Sequence, residues 1–236
     1  MNEENKSCFL CGSEGDITRE HIPPKCLFPK PRPNNLLTVP CCFNCNNTAS
    51  QDDEYLRLAA SILFNRNEKG SESFKRVVES TLPGGRIKSR VDELRESMEP
   101  IRLPSSAGDI AATKAFVDAD AINRSLVRVT KGIISISHPE VDLQSLDFEI
   151  TQIDQFKLDS IVTSGVAEHF AHWSVGDGVY RNWRAFDEAN TSHGIIVHMF
   201  YDAAIWMVKF EPGTGRTTLY GFDDCSQENP GAIESS

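Results

Sequence analysis

The sequence predicts an α+β fold in which a small metal-binding module precedes helices and a strand-rich C-terminal domain. Two Cys-x-x-Cys pairs, Cys8/Cys11 and Cys42/Cys45, lie near the N-terminus, in the grouping that is typical of a four-thiolate zinc site. Apolar residues at helical spacing follow from residue 50, and strand-like runs are frequent from residue 178 onward. At 236 residues the chain can form one sizeable core besides a small module that folds around a metal.

Three helices are predicted in the middle of the chain. Ser50 and the acidic residues shortly after it look like a helix N-terminus, with a capping side chain and carboxylates facing the positive end of the helix dipole. That helix is expected over residues 50–65, and further helices are expected over 71–83 and 86–98. Residues 99–112, which contain several proline, serine and glycine residues, are predicted to form a linker.

The C-terminal half mixes helices with strands. One helix is predicted over residues 112–131, with Gly132 as its C-terminal cap, and another over 154–172. Six runs are strand-like, at residues 133–137, 146–152, 178–186, 194–201, 204–211 and 216–221. Because glycine, asparagine or aspartate separates the last four runs, we expect them to form an antiparallel sheet.

These elements suggest three segments. Residues 1–65 would form the metal-binding module, residues 66–111 a helical connector and linker, and residues 112–236 an acidic α+β domain without a recognisable chemical motif. The net charge is −10, yet the first 100 residues are near neutral and hold 14 of the 24 lysines and arginines. A nucleic acid could therefore approach the N-terminal end, so the charge permits such a partner without proposing one.

The cysteines and the hydropathy indicate a cytoplasmic protein that has no membrane partner. No run approaches the roughly 18 apolar residues of a membrane span. The first residues, MNEENKSC, are polar and acidic, unlike a secretory signal. Four of the seven cysteines fall into the two pairs, which favours metal binding in a reducing compartment over disulfides. Cys26, Cys41 and Cys225 are expected to be buried or idle thiols.

A longer motif surrounds the cysteine pairs. EHIPPK occupies residues 20–25, NNLLTV occupies 34–39, and two asparagines follow the last cysteine at 46–47. This arrangement resembles the HNH endonuclease family, the ββα-metal nucleases built on a zinc-stapled, treble-clef-like core. The resemblance covers residues 8 to about 60 and rests on the order, identity and spacing of the residues together.

The resemblance implies roles for individual residues. The four paired cysteines would bind a structural zinc, and His21 would be the general base that takes a proton from water. Glu20 and Asn46 would hold one catalytic Mg²⁺ or Mn²⁺, ions that prefer oxygen ligands. Asn35 would hold the hairpin loop and orient the His21 ring. Many members carry histidine where this chain has Asn46, so other residues are alternatives for completing the cation site: Asn47, Asp52 and Asp53.

The function implied is hydrolysis of DNA phosphodiester bonds, possible also on RNA, in a bacterial defence or mobile-element context. Lys25, Lys30 and Arg32 lie close to the motif and are expected to contact phosphates. Two alternatives remain: a non-catalytic zinc module that binds nucleic acid or protein, and a toxin that cleaves RNA. Residues 112–236 are expected to bind a partner protein, to self-associate or to restrain cleavage. Arg181 and Arg184 flank a tryptophan in the manner of a stacking site, but the acidic surroundings argue against one.

Overall fold

The structure, a computed structural model, describes residues 7–63, 66–79, 88–104, 108–163 and 170–220. Within these ranges, ten β-strands and five α-helices form an α+β protein, which confirms the fold class predicted from the sequence. No helix in the described ranges is long and apolar enough to cross a membrane.

The N-terminal part is a β-hairpin followed by a helix. Strands β1 (Ile17–Ile22) and β2 (Leu37–Cys42) pair in antiparallel fashion, and helix α1 (Phe43–Ser61) follows β2 directly. A short 3₁₀ turn at Lys25–Leu27 begins the loop that joins the strands and packs against α1. Helix α1 therefore packs against the hairpin.

The predicted start of α1 at Ser50 was wrong, because the helix begins seven residues earlier, at Phe43. Cys42 occupies the N-cap position, and its Sγ accepts a hydrogen bond from the backbone N–H of Cys45 at 3.5 Å. A thiol thus takes the capping place that the sequence analysis assigned to a hydroxyl. The second cysteine pair therefore lies in the first turn of the helix.

Helices α2 (Glu68–Glu79) and α3 (Lys88–Glu96) confirm two predicted helices. The predicted linker was wrong, because β3 (Glu99–Leu103) and β4 (Ile110–Lys114) form an antiparallel pair in that stretch. Both are edge strands of a two-stranded sheet, a position that tolerates the proline at residue 100.

Helix α4 (Ala119–Ser137) begins later and ends later than predicted. Asp118 caps it, since its side chain accepts a hydrogen bond from the N–H of Ala121 at 3.0 Å. Gly132 lies inside the helix and does not end it, and the strand predicted over 133–137 is the last turn of the same helix. The glycine has a packing role: a Cβ there would lie 2.5 Å from Cδ1 of Ile22. Close approach of β1, and not helix termination, explains this residue.

The C-terminal part contains a six-stranded sheet of order β10-β5-β9-β8-β7-β6. Its strands are β5 (Leu146–Ile153), β6 (Ala171–Val175), β7 (Tyr180–Phe186), β8 (Gly194–Phe200), β9 (Ala204–Pro212) and β10 (Thr217–Tyr220). The antiparallel pairing of β7, β8 and β9 confirms the prediction. β10 differs, since it pairs with β5 in parallel.

The helix predicted over residues 154–172 is shorter in the structure. Helix α5 covers Gln155–Thr163, and β6 already includes residues 171 and 172; residues 164–169 lie outside the described ranges. Strand β6 therefore lies partly where a helix was predicted. Its alternation is interrupted by polar and exposed side chains, which is typical of an edge strand and weakens a periodic signal.

One hydrophobic core joins the N-terminal and C-terminal parts. Buried side chains of the hairpin and its loop, such as Ile22 and Phe28, belong to the same cluster as Leu126 on α4 and Phe200 on β8. Helix α4 packs against α1 and also contacts β1, β2 and β9. It is therefore one of the elements through which the two parts contact each other, and Tyr201, whose hydroxyl donates to the carbonyl of Leu27 at 2.7 Å, provides another contact. The division at residues 65 and 111 stays a prediction.

Candidate metal centre and adjoining polar cavity

The four paired cysteines meet at the end of the β1–β2 hairpin. Their Sγ atoms all lie within 4.8 Å of one another, and those of Cys11 and Cys42 are 3.7 Å apart. Tetrahedral zinc with Zn–S bonds of about 2.3 Å requires sulfur–sulfur distances of about 3.8 Å. Four thiolates at this spacing could hold a metal ion such as zinc. The predicted cluster is confirmed at that level.

Local backbone structure creates this arrangement. The N–H of Cys8 donates to the carbonyl of Ser13 at 2.7 Å, which closes the tight turn that contains the first pair. The N–H of Phe9 donates to the carbonyl of Pro40 at 3.0 Å, so this turn is held against the end of β2. The second pair then enters from the last residue of β2 and the first turn of α1.

The thiols of the cluster differ electrostatically. Burial raises the pKa of Cys8, but N–H donors at Cys42, Cys11 and Leu10 outweigh it and bring the pKa to about 6. Burial raises the pKa of Cys41, which lies next to the cluster outside the ligand set, to about 12. A metal site needs thiolates, so the low pKa of Cys8 suits a ligand, and Cys41 remains a neutral thiol. Cys225 lies outside the described residues.

A polar cavity of about 180 Å³ lies between β1 and α1. Glu20 and His21 line it from the strand, and Asn46 and Asp53 line it from the helix. Residues seven apart, such as the latter two, share one face of a helix. The structure therefore brings together three of the four predicted catalytic residues, Glu20, His21 and Asn46.

The amide of Asn46 has a defined orientation in this cavity. Its Nδ2 donates to Oγ1 of Thr18 at 2.9 Å, and this hydroxyl in turn donates to the carbonyl of Cys41 at 2.8 Å. Thr18 and Glu20 are two residues apart in β1 and therefore share a face of the strand. With its nitrogen engaged, the amide of Asn46 keeps its oxygen as an acceptor.

Glu20 and Asp53 are both buried beside an arginine from α4. The Arg128 guanidinium contacts the carboxylate of Asp53, and its Nη2 lies 3.8 Å from Oε1 of Glu20. Oγ of Ser125 donates to Asp53 at 2.6 Å. Burial raises the pKa of Glu20 to about 7 despite the nearby guanidinium, and burial also raises the pKa of Asp53. Two buried acids therefore share one guanidinium.

Sequence reasoning missed Arg128. The residue lies more than 70 positions from Asp53 in the chain, so no local motif connects the two. The available signal was an arginine flanked by the apolar positions Leu126 and Val129, on a helix whose apolar side is buried. A charged residue at such a position is rarely buried unless it is paired.

His21 is half-buried at the edge of the cavity. Burial lowers the pKa of its imidazole, and the positive charges of Lys25 and Arg32 lower it further. The ring is therefore neutral near neutral pH, which is the state that can accept a proton.

The remaining predicted residues lie in different places. Lys25 lines the cavity of His21, whereas Lys30 is exposed and lines none of the described cavities. Asn35 lines a second, larger cavity beside Arg32, and in the described part of the chain no hydrogen bond joins its side chain to His21. Of the three alternatives for completing a cation site, Asp53 lines the cavity. Asp52 pairs with Arg124 through two hydrogen bonds of 2.8 Å, and Asn47 is exposed outside the cavity.

The oxygen donors of the cavity fit a hard cation that keeps water ligands. Mg²⁺ commonly takes one or two protein carboxylates and retains several waters, and Glu20 and the Asn46 amide are groups of the kind it binds. Across the described ranges, only the cysteine cluster brings three or more His, Cys, Asp or Glu ligand atoms together. A cation in the polar cavity would therefore depend on water and substrate oxygens as well.

Comparisons with protein-family models, curated proteins and solved structures find no match to this chain. The fold and the site define an α+β protein with a four-cysteine site for a metal such as zinc. Beside that site lies a polar cavity that contains an acid, a histidine and an asparagine amide.

Proposed function

We propose that the protein is a metal-dependent endonuclease of the HNH type that hydrolyses DNA phosphodiester bonds. One observation carries the proposal: Glu20, His21 and Asn46 line the same cavity between β1 and α1. The order of hairpin and helix agrees with a ββα-metal, treble-clef-like module. The four cysteines beside it would bind a structural zinc.

The chemistry follows from the groups in the cavity. The neutral imidazole of His21 accepts a proton from a water molecule while the water oxygen attacks phosphorus, and the P–O bond to the leaving oxygen breaks with its electron pair staying on that oxygen. A divalent cation, when bound, supplies charge stabilisation at the phosphate and the leaving oxygen. Glu20 and the amide oxygen of Asn46 hold that cation, and Lys25 binds a neighbouring phosphate. Asn35 remains a prediction for holding the hairpin loop.

Cleavage of supercoiled plasmid with Mg²⁺ or Mn²⁺ tests the proposal. We expect the wild type to nick the plasmid and His21→Ala to lose at least about 100-fold in rate, the usual contribution of a general base. Asp52→Asn is the control, because Asp52 lies on α1, the helix that carries Asn46, and pairs with Arg124 outside the cavity. Equal rates for wild type and His21→Ala would remove His21 from the mechanism.

One observation favours a second candidate, a non-catalytic zinc module that binds nucleic acid or protein. Arg128 already places a positive charge beside Asp53 and Glu20, so these carboxylates have a charge partner without a divalent cation. No cleavage of DNA or RNA with either ion would support this candidate. Cleavage of structured RNA in preference to DNA would support the RNA-cleaving toxin, since a hydrolytic centre does not by itself distinguish the sugar.

A further inference from the structure

A second cavity, of about 620 Å³, lies between the loop that follows the 3₁₀ turn and the β6–β7 hairpin. Its walls carry three basic side chains, Arg32, Lys69 and Arg181, together with His172. Asp177 is the one acid among the residues that line it. We call this cavity the basic cleft. Its positive balance contrasts with the net charge of −10 for the whole chain.

The basic cleft adjoins the cavity of His21. Nε of Arg32 donates to the carbonyl of Lys25 at 3.1 Å, and Lys25 lines the smaller cavity. The charges of both residues are close enough to lower the pKa of His21. A polyanion in the basic cleft would therefore lie close to His21.

The C-terminal wall of the basic cleft is held in place by close packing. Gly176 has a φ of +76°, and a Cβ there would lie 2.6 Å from the ring of Phe28, so the turn fits tightly on the N-terminal loop. Nδ2 of Asn67 donates to the carbonyl of Gly178 at 3.0 Å and to Oδ2 of Asp202 at 2.8 Å. The wall is thus positioned before any ligand arrives, which lowers the cost of binding.

Asp202, in the turn between β8 and β9, forms an ion pair with Arg181, which also lines the basic cleft. Nη2 of Arg181 lies 3.1 Å from Oδ1 of Asp202, while 42% of the arginine side chain stays exposed. A guanidinium has five N–H donors, so one contact with a carboxylate leaves others for phosphate oxygens. Arg181 can therefore bind an anion without giving up Asp202.

We propose that the basic cleft binds the sugar–phosphate backbone of the DNA substrate, with Arg32, Lys69 and Arg181 contacting phosphates. This inference rests on the proposed nuclease function and extends it. The C-terminal sheet, which carries no motif of its own, then forms one wall of the substrate site. The role of Arg181 is a phosphate contact, which differs from the base stacking that the sequence analysis considered.

The test is binding of a fluorescent 20-base-pair duplex to a His21→Ala background, without added divalent ions, over a series of salt concentrations. Arg32→Gln, Lys69→Gln and Arg181→Gln each remove one charge from the basic cleft. Each is expected to weaken binding about five- to tenfold near 0.1 M salt and to lower the slope of log K against log salt by about 0.9. Arg216→Gln is the matched control, because its side chain is 78% exposed and outside the basic cleft.

Arg181→Lys, which keeps the charge, is expected to retain most of the affinity. Affinities and slopes of the three cleft variants equal to those of Arg216→Gln would overturn the inference. Binding of millimolar inorganic phosphate that the three cleft substitutions abolish, with duplex affinity unchanged, would also overturn it, because the cleft would then be a site for a free anion.

Plasmid cleavage by the wild-type protein separates the two proposals. Loss of binding in the cleft variants without cleavage by the wild type would leave the inference standing and reject the nuclease. Cleavage by the wild type with unchanged binding in the cleft variants would reject the inference alone.

Discussion

The guanidinium of Arg128 on α4 contacts the buried carboxylate of Asp53 on α1. This pair lies beside Glu20, so a helix from the C-terminal part reaches the cavity that contains His21. Since Arg128 and Asp53 are each less than a tenth exposed, their charges depend on each other for compensation.

Replacing Arg128 should be strongly destabilising. We expect Arg128→Met to lower the free energy of unfolding by about 3–5 kcal/mol, because it leaves Asp53 buried without its partner. Arg124→Met, which breaks the more exposed pair with Asp52, should cost less than about 1 kcal/mol. Urea denaturation measures both. The double variant Arg128→Met/Asp53→Leu should recover part of the loss, since Glu20 still lacks the shared guanidinium. Equal costs for the two single variants would contradict the buried pairing.

Metal content should separate Cys42 from its neighbour Cys41. We expect one metal ion per chain in the wild type and in Cys41→Ala, and loss of the ion in Cys42→Ser, because only Cys42 belongs to the cluster. A serine hydroxyl can still cap α1, so the loss would report ligation and not capping. Elemental analysis of purified protein gives the result, and a full metal complement in Cys42→Ser would contradict the four-cysteine site.

Gly132→Ala should be destabilising even though alanine is the better helix former. The added Cβ would lie 2.5 Å from Ile22, which is fully buried. Overpacking of about 1–3 kcal/mol then outweighs a helix-propensity gain of about 1 kcal/mol. Thermal or urea unfolding provides the measurement. In the double variant Gly132→Ala/Ile22→Ala the two costs should not add, and additive costs would show that the residues do not share this contact.

Acidification should lower the free energy of unfolding, because His198 is buried as a neutral ring in the folded protein. This residue is fully buried, hydrogen-bonds Tyr180 and Thr130, and has a pKa that burial lowers to about 3. Its unfolded pKa is about 6.5, so the unfolded chain binds a proton that the folded chain refuses. Stability from this group is complete above pH 6.5 and falls by up to about 1.4 kcal/mol per pH unit from there toward pH 3.

The measurement is the difference in unfolding free energy between wild type and His198→Gln across this pH range. Glu20 acts with the opposite sign, because its raised pKa of about 7 costs stability as the pH rises from 4.5. Because Glu20 is present in both proteins, its contribution cancels in the difference between their unfolding free energies. His172→Gln, at an exposed position, should follow the wild-type pH profile, and a His198→Gln profile parallel to wild type would contradict the assignment.

The N-terminal site was predictable because its signals are local in the sequence. The cysteine spacing predicts the metal cluster, and the residues adjacent to it place Glu20, His21 and Asn46 in one cavity. The partners of Arg128 were not predictable, because they are brought to it by packing of α4 on α1. Charge pairs of this kind depend on tertiary contacts, and no helical or strand periodicity in the sequence indicates which residues will meet.

The errors in the helices have a related origin. The start of α1 was misplaced because the cap is a cysteine that also belongs to the cluster, and propensities do not anticipate that dual use. Gly132 reads as a helix end until the proximity of Ile22 is known. In both cases a contact with a residue far away in the sequence explains why the residue occurs there, whereas local propensity predicts a different role for it.

The shared core sets a limit on which fragments can be produced. A polypeptide that ends near residue 65 would leave the side chains of Ile22 and Phe28 facing water, since their partners come from α4 and the sheet. Metal loading alone would not cover those surfaces, so such a fragment is expected to aggregate. Experiments on the N-terminal metal site therefore require the whole chain, or a substitute scaffold whose helix has a glycine where Ile22 packs.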